Sequence, residues 1–124
     1  HPYFKISDFK NIDFVDYPIN CQNQKNNCIE DFGQTIACIA EGVDLLTYSK
    51  GYNSFIDFGL RRQIILNNPS PFDINVVWTD PPRKMLCMEP WTSPRNSLID
   101  GYRRIDIPPN NSQELFTSIK IQEI

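Results

Sequence analysis

Histidine is almost absent from this sequence of 124 residues, whose single histidine is His1. A Ser or Cys triad would have to use that residue as its base. The Gly-x-Ser-x-Gly motif that often carries a nucleophilic serine is absent as well, which argues against a serine hydrolase of that type. No methionine precedes His1, so we expect the chain to be a processed product or a fragment.

Extended apolar stretches and a strong charge excess are also missing. The longest apolar runs, at residues 64–66 and 76–78, are far too short to span a bilayer. The formal net charge is only −3, which argues against nucleic acid or an anionic membrane as a partner. The sequence therefore predicts a protein with no nucleic-acid and no membrane partner. Its 40% of hydrophobic residues can form the core of one domain.

Closely spaced cysteine pairs are lacking among the four cysteines, which are Cys21, Cys28, Cys38 and Cys87. Their spacing does not match the paired Cys motifs of a zinc site, so we assign no metal ligand. We expect no signal peptide. We therefore expect four reduced thiols and a cytoplasmic location.

Alternating apolar and polar residues predict an all-β chain. Strands are predicted at residues 62–66, 72–79, 85–89, 103–107 and 115–121, with a hairpin turn at 67–69. The strand at 85–89 is apolar enough to be buried on both faces, and we expect Pro90 to end its pairing. A weak helical spacing covers residues 36–46, and residues 20–27 are predicted to form an exposed loop. Short strands separated by turns are typical of an antiparallel β-sandwich or barrel.

Two residues are candidates for acid–base chemistry. His1 precedes the aromatic pair Tyr3 and Phe4, and Glu89 follows an apolar strand close to Trp91. A histidine has an ordinary pKa near 6.5, and burial would raise the pKa of a glutamate from about 4.3 toward neutrality, the range that a general base needs. Both also have a structural interpretation: His1 as an exposed terminal residue, and Glu89 as a solvated charge at a strand end.

Other polar and aromatic residues are candidates for binding a sugar. Asp44 and Asp57 each follow an apolar residue and could accept hydrogen bonds from a ligand, or cap a turn. An aromatic and basic set could stack on a sugar and clamp it: Trp78, Trp91, Arg83 and Arg95. Trp78 lies on the apolar face of its strand and is predicted to be core, whereas we expect Trp91 to border the binding groove.

Two segments resemble the aldose 1-epimerase (galactose mutarotase-like) family: His1-Pro2-Tyr3-Phe4, and Leu86 to Thr92 with the sequence Leu-Cys-Met-Glu-Pro-Trp-Thr. Residues 42–44, 76–79 and 96–98, followed by Gly101, also resemble family segments. The resemblance covers nearly the whole chain and is weakest from 20 to 40. It implies a galactose mutarotase-like supersandwich, a large antiparallel β-sandwich considerably longer than this chain. Residues 1–124 would then be the C-terminal part of that domain, with its N-terminal half missing.

The resemblance implies an isomerase of carbohydrate metabolism that interconverts the α and β anomers of a hexose or hexose phosphate, and it implies that no cofactor is needed. The reaction places a proton on the ring oxygen and removes one from the C1 hydroxyl, which suits a general acid and a general base. The resemblance gives His1 the role of acid and Glu89 that of base, so we expect the two to face one groove. It gives Asp44 the role of binding sugar hydroxyls, with Asp57 as the alternative.

The expected partner is a small-molecule sugar or sugar phosphate, with Trp91 and Arg95 as further substrate-binding residues. Pro2 departs from the more usual sequence motif of the family and resembles the motif of its sugar-phosphate branch. The resemblance therefore does not decide between a sugar and a sugar phosphate as the substrate. The alternative function is a non-catalytic carbohydrate-binding module, which would need aromatic residues and aspartates but no matched acid and base. A glycosidase is less favoured because it needs two carboxylates. We expect the chain alone to lack activity, since a divided sandwich exposes unpaired strand edges.

Overall fold

The computed structural model describes residues 1–49 and 51–124. Most of the secondary structure is β, in ten strands: β1 Tyr3–Lys5, β2 Ile12–Val15, β3 Asn20–Asn23, β4 Cys28–Asp31, β5 Asp44–Tyr48, β6 Gly51–Asp57, β7 Arg62–Asn68, β8 Ile74–Trp78, β9 Met85–Trp91 and β10 Ser118–Glu123. The helices are short: α1 Phe32–Ile36, α2 Ser97–Asp100, and two 3-10 helices at Phe9–Asn11 and Ile39–Glu41. In this described part, no helix has the length and hydropathy needed to cross a membrane.

The strands form two antiparallel sheets. The six-stranded sheet has the order β1-β9-β8-β5-β3-β4, and the four-stranded sheet has the order β10-β7-β6-β2. Within the described residues neither sheet closes into a barrel, so the all-β antiparallel sandwich predicted from the sequence is confirmed. The four cysteines are free thiols, as expected.

The core lies between the two sheets. Phe55 of β6 and Ile64 and Leu66 of β7 are fully buried there. They pack in one cluster with residues of the six-stranded sheet, which include Leu45, Val77, Leu86 and Met88. Burying one such side chain contributes about 1.5–3 kcal/mol to folding. This cluster holds the six-stranded sheet by one face and leaves its other face available for a site.

Three predicted features of the C-terminal half differ in the structure. Residues 103–107 form no strand, and residues 67–68 extend β7 and are paired with β6 instead of turning. The next strand, β8, lies in the other sheet, so no hairpin joins it to β7. Pro90 does not end β9, because it pairs with Asn75 of β8. Beyond Cys87 this strand pairs only with β8 among the described residues, and proline is tolerated on such an edge.

The N-terminal half departs from two further expectations. Residues 20–23 form β3 instead of an exposed loop, because they pair with both β4 and β5. In the predicted helical stretch at 36–46, α1 ends at Ile36 and β5 begins at Asp44, with only a 3-10 turn between them. In both places the pairing of distant strands overrides the local preference of the sequence.

Asp57 supports the turn between β6 and β7. Its carboxylate is fully buried and accepts hydrogen bonds from the Ser7 amide at 2.7 Å, the Ser7 hydroxyl at 2.5 Å and the Leu60 amide at 3.1 Å. Burial by itself raises the pKa of Asp57, but these hydrogen bonds outweigh it and hold the pKa below its ordinary value. A side chain at Gly59 would overlap Ser7, so glycine is required for the close approach. Asp57 therefore has the turn-capping role, the structural alternative to sugar binding.

We expect Asp57→Asn to lower the free energy of unfolding by about 1–3 kcal/mol at neutral pH, because an amide donor would face the donors of Ser7. The lowered pKa of Asp57 in the folded protein determines how this contribution to stability changes with pH. It is present above the ordinary aspartate pKa of about 3.9 and is lost as the pH falls through the lower folded value. Urea unfolding at several pH values measures the difference. The exposed Asp13→Asn, on β2 of the same sheet, is the matched control. An equal effect of both variants would contradict the prediction.

Candidate functional site

The pairing of β1 with β9 brings the start of the chain next to the Glu89 region. Tyr3 lies opposite Cys87 in this antiparallel register. Alternate residues of a strand point to the same face, so Cys87 and Glu89 share a face of the sheet, and Tyr3 points the same way. This face is the one opposite the inter-sheet core, because Leu86 and Met88 point into that core.

The neighbouring strands add residues to the same outer face. Val76 of β8 lies opposite Glu89, and Trp78 lies opposite both Cys87 on one side and Asp44 of β5 on the other. The sequence analysis predicted Trp78 to be core, and this prediction is wrong for the inter-sheet core. Trp78 is instead half-buried on the outer face. The inter-sheet face of β8 carries Asn75 and Val77, whereas Ile74, Val76 and Trp78 lie on the outer face. The more apolar face of this strand is therefore not the core face, and alternation pointed to the wrong one.

His1 and Glu89 are in direct contact on this face. The His1 Nε2 atom lies 3.1 Å from Glu89 Oε1, so the two candidate acid–base residues share one groove, as expected. The Glu89 side chain is only 4% exposed, whereas that of His1 is 65% exposed. The histidine thus stands between the buried carboxylate and solvent. Its ring also makes an edge-on contact with Trp78, at 5.8 Å between ring centres.

The environment of Glu89 favours the protonated form of the carboxyl. Burial raises the pKa of Glu89 above its ordinary value, and the negative charge of Asp44 adds to this shift. The indole Nε1–H of Trp91 donates a hydrogen bond to Glu89 Oε2 at 3.0 Å and partly opposes the shift. One carboxylate oxygen is thus held by Trp91, while the other faces His1 and the outer face of the sheet.

Asp44 lies at the edge of the same group and is already paired. Its two oxygens accept hydrogen bonds from Gln24 Nε2 at 2.6 Å and from the Arg95 guanidinium at 3.1 Å. The two sugar-binding candidates Asp44 and Arg95 therefore lie together as an ion pair. Gln24 was missed by the sequence analysis because it lies in the segment predicted to be a plain loop.

These side chains surround a cavity of about 250 Å³, which we call the outer cleft. It is lined by His1, Asp44, Val76, Trp78, Glu89, Trp91 and Arg95. A second cavity of about 600 Å³ shares His1 and Trp78 with it and is bordered by Tyr3, Lys5, Arg83, Lys84, Met85 and Cys87. Of the residues that the sequence analysis named as site candidates, all except Asp57 and Arg83 thus line the outer cleft, and Arg83 borders the second cavity. A larger cavity, near β2 and α1, contains no histidine.

His1, Cys87 and Glu89 also form a group of possible metal ligands. One donor atom from each lies within 4.8 Å of the others, and Cys87 Sγ is 3.7 Å from His1 Nδ1. Burial, followed by the negative charge of Glu89, raises the pKa of Cys87 to about 11. The sequence analysis looked for short spacings between ligands and assigned none, whereas this group joins residues 86 positions apart through the β1–β9 pairing.

We expect Glu89→Gln to raise the melting temperature at about pH 8 and to leave it nearly unchanged at about pH 4. The pKa of Glu89 is raised by folding, so the stability of its protonated form is full below the ordinary pKa of about 4.3 and is lost as the pH rises through the folded value. Glutamine cannot ionise and avoids this loss. Thermal unfolding of both proteins across that range gives the answer.

Glu30→Gln is the matched control because its shift has the opposite sign. Hydrogen bonds from Asn26, Asn23 and Thr35 lower the pKa of Glu30. Its ionised form therefore stabilises the fold, and we expect Glu30→Gln to lower the melting temperature at the higher pH. A Glu89→Gln protein that melts below the wild type at pH 8 would contradict the assigned cause.

Comparison with known proteins identifies the fold but no activity. No protein-family model matches the sequence, and no curated protein matches it. A similar solved structure is that of the Slr1438 protein from Synechocystis sp. PCC 6803, with a TM-score of 0.91 and 22% sequence identity. The match covers 100% of this chain and 44% of that chain. This chain therefore has the fold of a part, less than half in length, of that longer protein.

Proposed function

We propose that the outer cleft is the active site of an aldose 1-epimerase (galactose mutarotase-like) protein, which interconverts the α and β anomers of a hexose or hexose phosphate. The observation that carries this proposal is the contact of 3.1 Å between an exposed imidazole, His1, and a buried carboxylate, Glu89. Their residue types and their common cavity fit general acid–base catalysis. The resemblance of the two segments that contain them supports the same activity.

The chemistry needs an acid and a base on opposite sides of the sugar's reacting carbon, C1. Glu89 takes the proton of the C1 hydroxyl, and His1 donates a proton to the ring oxygen as the bond between C1 and that oxygen breaks. The open-chain aldehyde rotates about its C1–C2 bond, and the reverse proton transfers close the ring from the other face. Since both reacting oxygens are attached to C1, the acid and the base must each lie within hydrogen-bond reach of one of them. His1 and Glu89 are close enough to flank one C1 when a sugar lies between their side chains.

The burial of Glu89 suits the role of base. A carboxylate with an ordinary pKa is a weak base at neutral pH, and a raised pKa brings it closer to the working pH. Trp91 holds one carboxylate oxygen and thereby orients the other. Half-buried Trp91 and Trp78 would offer apolar surface to a sugar ring, and the paired Asp44 and Arg95 would offer hydrogen bonds to its hydroxyls.

The second candidate is a carbohydrate-binding module without turnover. The observation that favours it is the presence of two indoles, Trp78 and Trp91, in a cavity of only about 250 Å³. Such a module would bind the same sugars but would have no use for a buried carboxylate in contact with a histidine. The two candidates differ in whether the bound sugar changes its anomeric form.

We expect the natural protein that carries this chain to accelerate the mutarotation of an aldose or an aldose 6-phosphate, and Glu89→Gln to reduce that rate by about 10²–10⁴-fold. The loss follows from removing the base while keeping the shape and the Trp91 contact. Polarimetry of freshly dissolved α anomers, with a panel of both sugar classes, measures the rate. Glu41→Gln, an exposed residue outside the cleft, is the control and should retain full activity.

Two outcomes would overturn the proposal. One is a wild-type protein that leaves every sugar of the panel at its spontaneous rate, and binding of a sugar without acceleration would then favour the binding module. The other is a Glu89→Gln protein as fast as the wild type.

The pH profile tests the position of Trp91. We expect the acid limb of kcat/KM to lie above the ordinary glutamate pKa of about 4.3, because burial raises the pKa of Glu89. Trp91→Phe removes the hydrogen bond that opposes this rise, so the limb should move to higher pH. Trp78→Phe, which leaves that hydrogen bond intact, should not move it. A limb that stays in place or moves to lower pH in Trp91→Phe would show that Trp91 does not tune Glu89.

A further inference from the structure

We propose that His1, Cys87 and Glu89 form a binding site for Zn²⁺, and that the bound ion blocks the outer cleft. The binding site itself rests on the arrangement of three donor groups. The blocking rests in addition on the proposed function, since it requires that His1 and Glu89 be the acid and base of the sugar reaction.

The three donors lie near one another but must draw closer to bind zinc. Around a tetrahedral zinc ion with bonds of about 2.0–2.3 Å, neighbouring donor atoms lie about 3.3–3.6 Å apart. Here one donor atom from each residue lies within 4.8 Å of the other two. His1 Nε2 lies 3.1 Å from Glu89 Oε1, whereas the contact of 3.7 Å with Cys87 Sγ is made by the other ring nitrogen, Nδ1. One ring nitrogen binds the ion, and the exposed His1 ring can turn to present it. Small side-chain movements therefore suffice.

The placement of the group also suits a metal ion. Cys87 and Glu89 are buried two positions apart on β9, a strand paired on both sides at Cys87, so their positions are fixed by the sheet. The Trp91 indole holds Glu89 Oε2 and leaves Oε1 for the metal, the kind of outer contact that orients metal ligands. His1 lies on the solvent side, next to the two cavities. Three protein ligands with a fourth position open to water form the pattern of an accessible zinc site.

The charges balance when the ion binds. The Cys87 thiol loses its proton to water as the Zn–S bond forms, and the thiolate and the Glu89 carboxylate together neutralise the two positive charges. The ion replaces the contact between His1 and Glu89. A carboxylate and an imidazole that are bound to zinc can neither accept the C1 proton nor donate one to the ring oxygen.

The site can be tested with Co²⁺ as a spectroscopic probe, independently of any activity. We expect titration of the metal-free protein with Co²⁺ to produce a thiolate-to-cobalt charge-transfer band at one equivalent, and Zn²⁺ to abolish it by displacement. Cys87→Ser should lose the band, and Glu89→Gln should weaken Co²⁺ binding at least about tenfold, since even outer contacts of metal ligands have effects of this size. Cys28→Ser, at an exposed thiol outside the group, is the matched control and should keep the band.

Absence of the band from the wild type would overturn the metal site, as would its loss in Cys28→Ser together with retention in Cys87→Ser.

Inhibition is measured separately. Zn²⁺ should slow mutarotation by the wild type and by Cys28→Ser in competition with the sugar, and Cys87→Ser should need at least about tenfold more Zn²⁺, for the same reason. Full turnover in saturating Zn²⁺ would overturn the blocking alone. A cobalt band in a protein without turnover would leave the metal site standing and remove the proposed function.

Discussion

The antiparallel pairing of β1 with β9 is the constraint on which the outer cleft depends. It places Tyr3 opposite Cys87 and thereby brings His1 to Glu89, although the two are 88 positions apart in the sequence. A shift of this register by one residue would turn the side chains of β1 to the other face of the sheet. The inter-sheet core holds the register, because Phe4 of β1 packs edge-on against Phe55 of β6, with their ring centres 5.7 Å apart.

The site is built on the outer face of the sheet at a cost in stability. A buried carboxylate is unfavourable when ionised, and the raised pKa of Glu89 expresses that cost. The core on the opposite face of the same strands, formed by Leu86, Met88 and Val77 among others, offsets it. Groups in a cleft whose pKa is shifted are typical of functional sites, and in this chain Asp57 shows the contrasting case of a buried carboxylate whose hydrogen bonds serve the fold.

Much of the strand pattern could be predicted from alternation and apolar character. The strands that contain residues 62–66, 74–78 and 85–89 were found in this way, with errors mainly at their ends. Residues 20–23 were missed because they are polar, and their strand forms only by pairing with β4 and β5. Residues 103–107 alternate in the same manner as a strand but have no partner strand in the described structure. The alternation of apolar and polar residues indicates a strand-like periodicity, but it does not show whether a partner strand is present.

The sequence by itself determined the all-β class and the residues with the chemistry for acid–base catalysis, because strand period and side-chain type are local properties. The tertiary structure decided which of these residues meet. It joined Cys87 to His1 and Glu89, paired Asp44 with Arg95, and assigned Asp57 to a turn in the other sheet. These contacts depend on the order and register of strands that are distant in sequence. The spacing of residues along the sequence specifies neither the strand order nor the register.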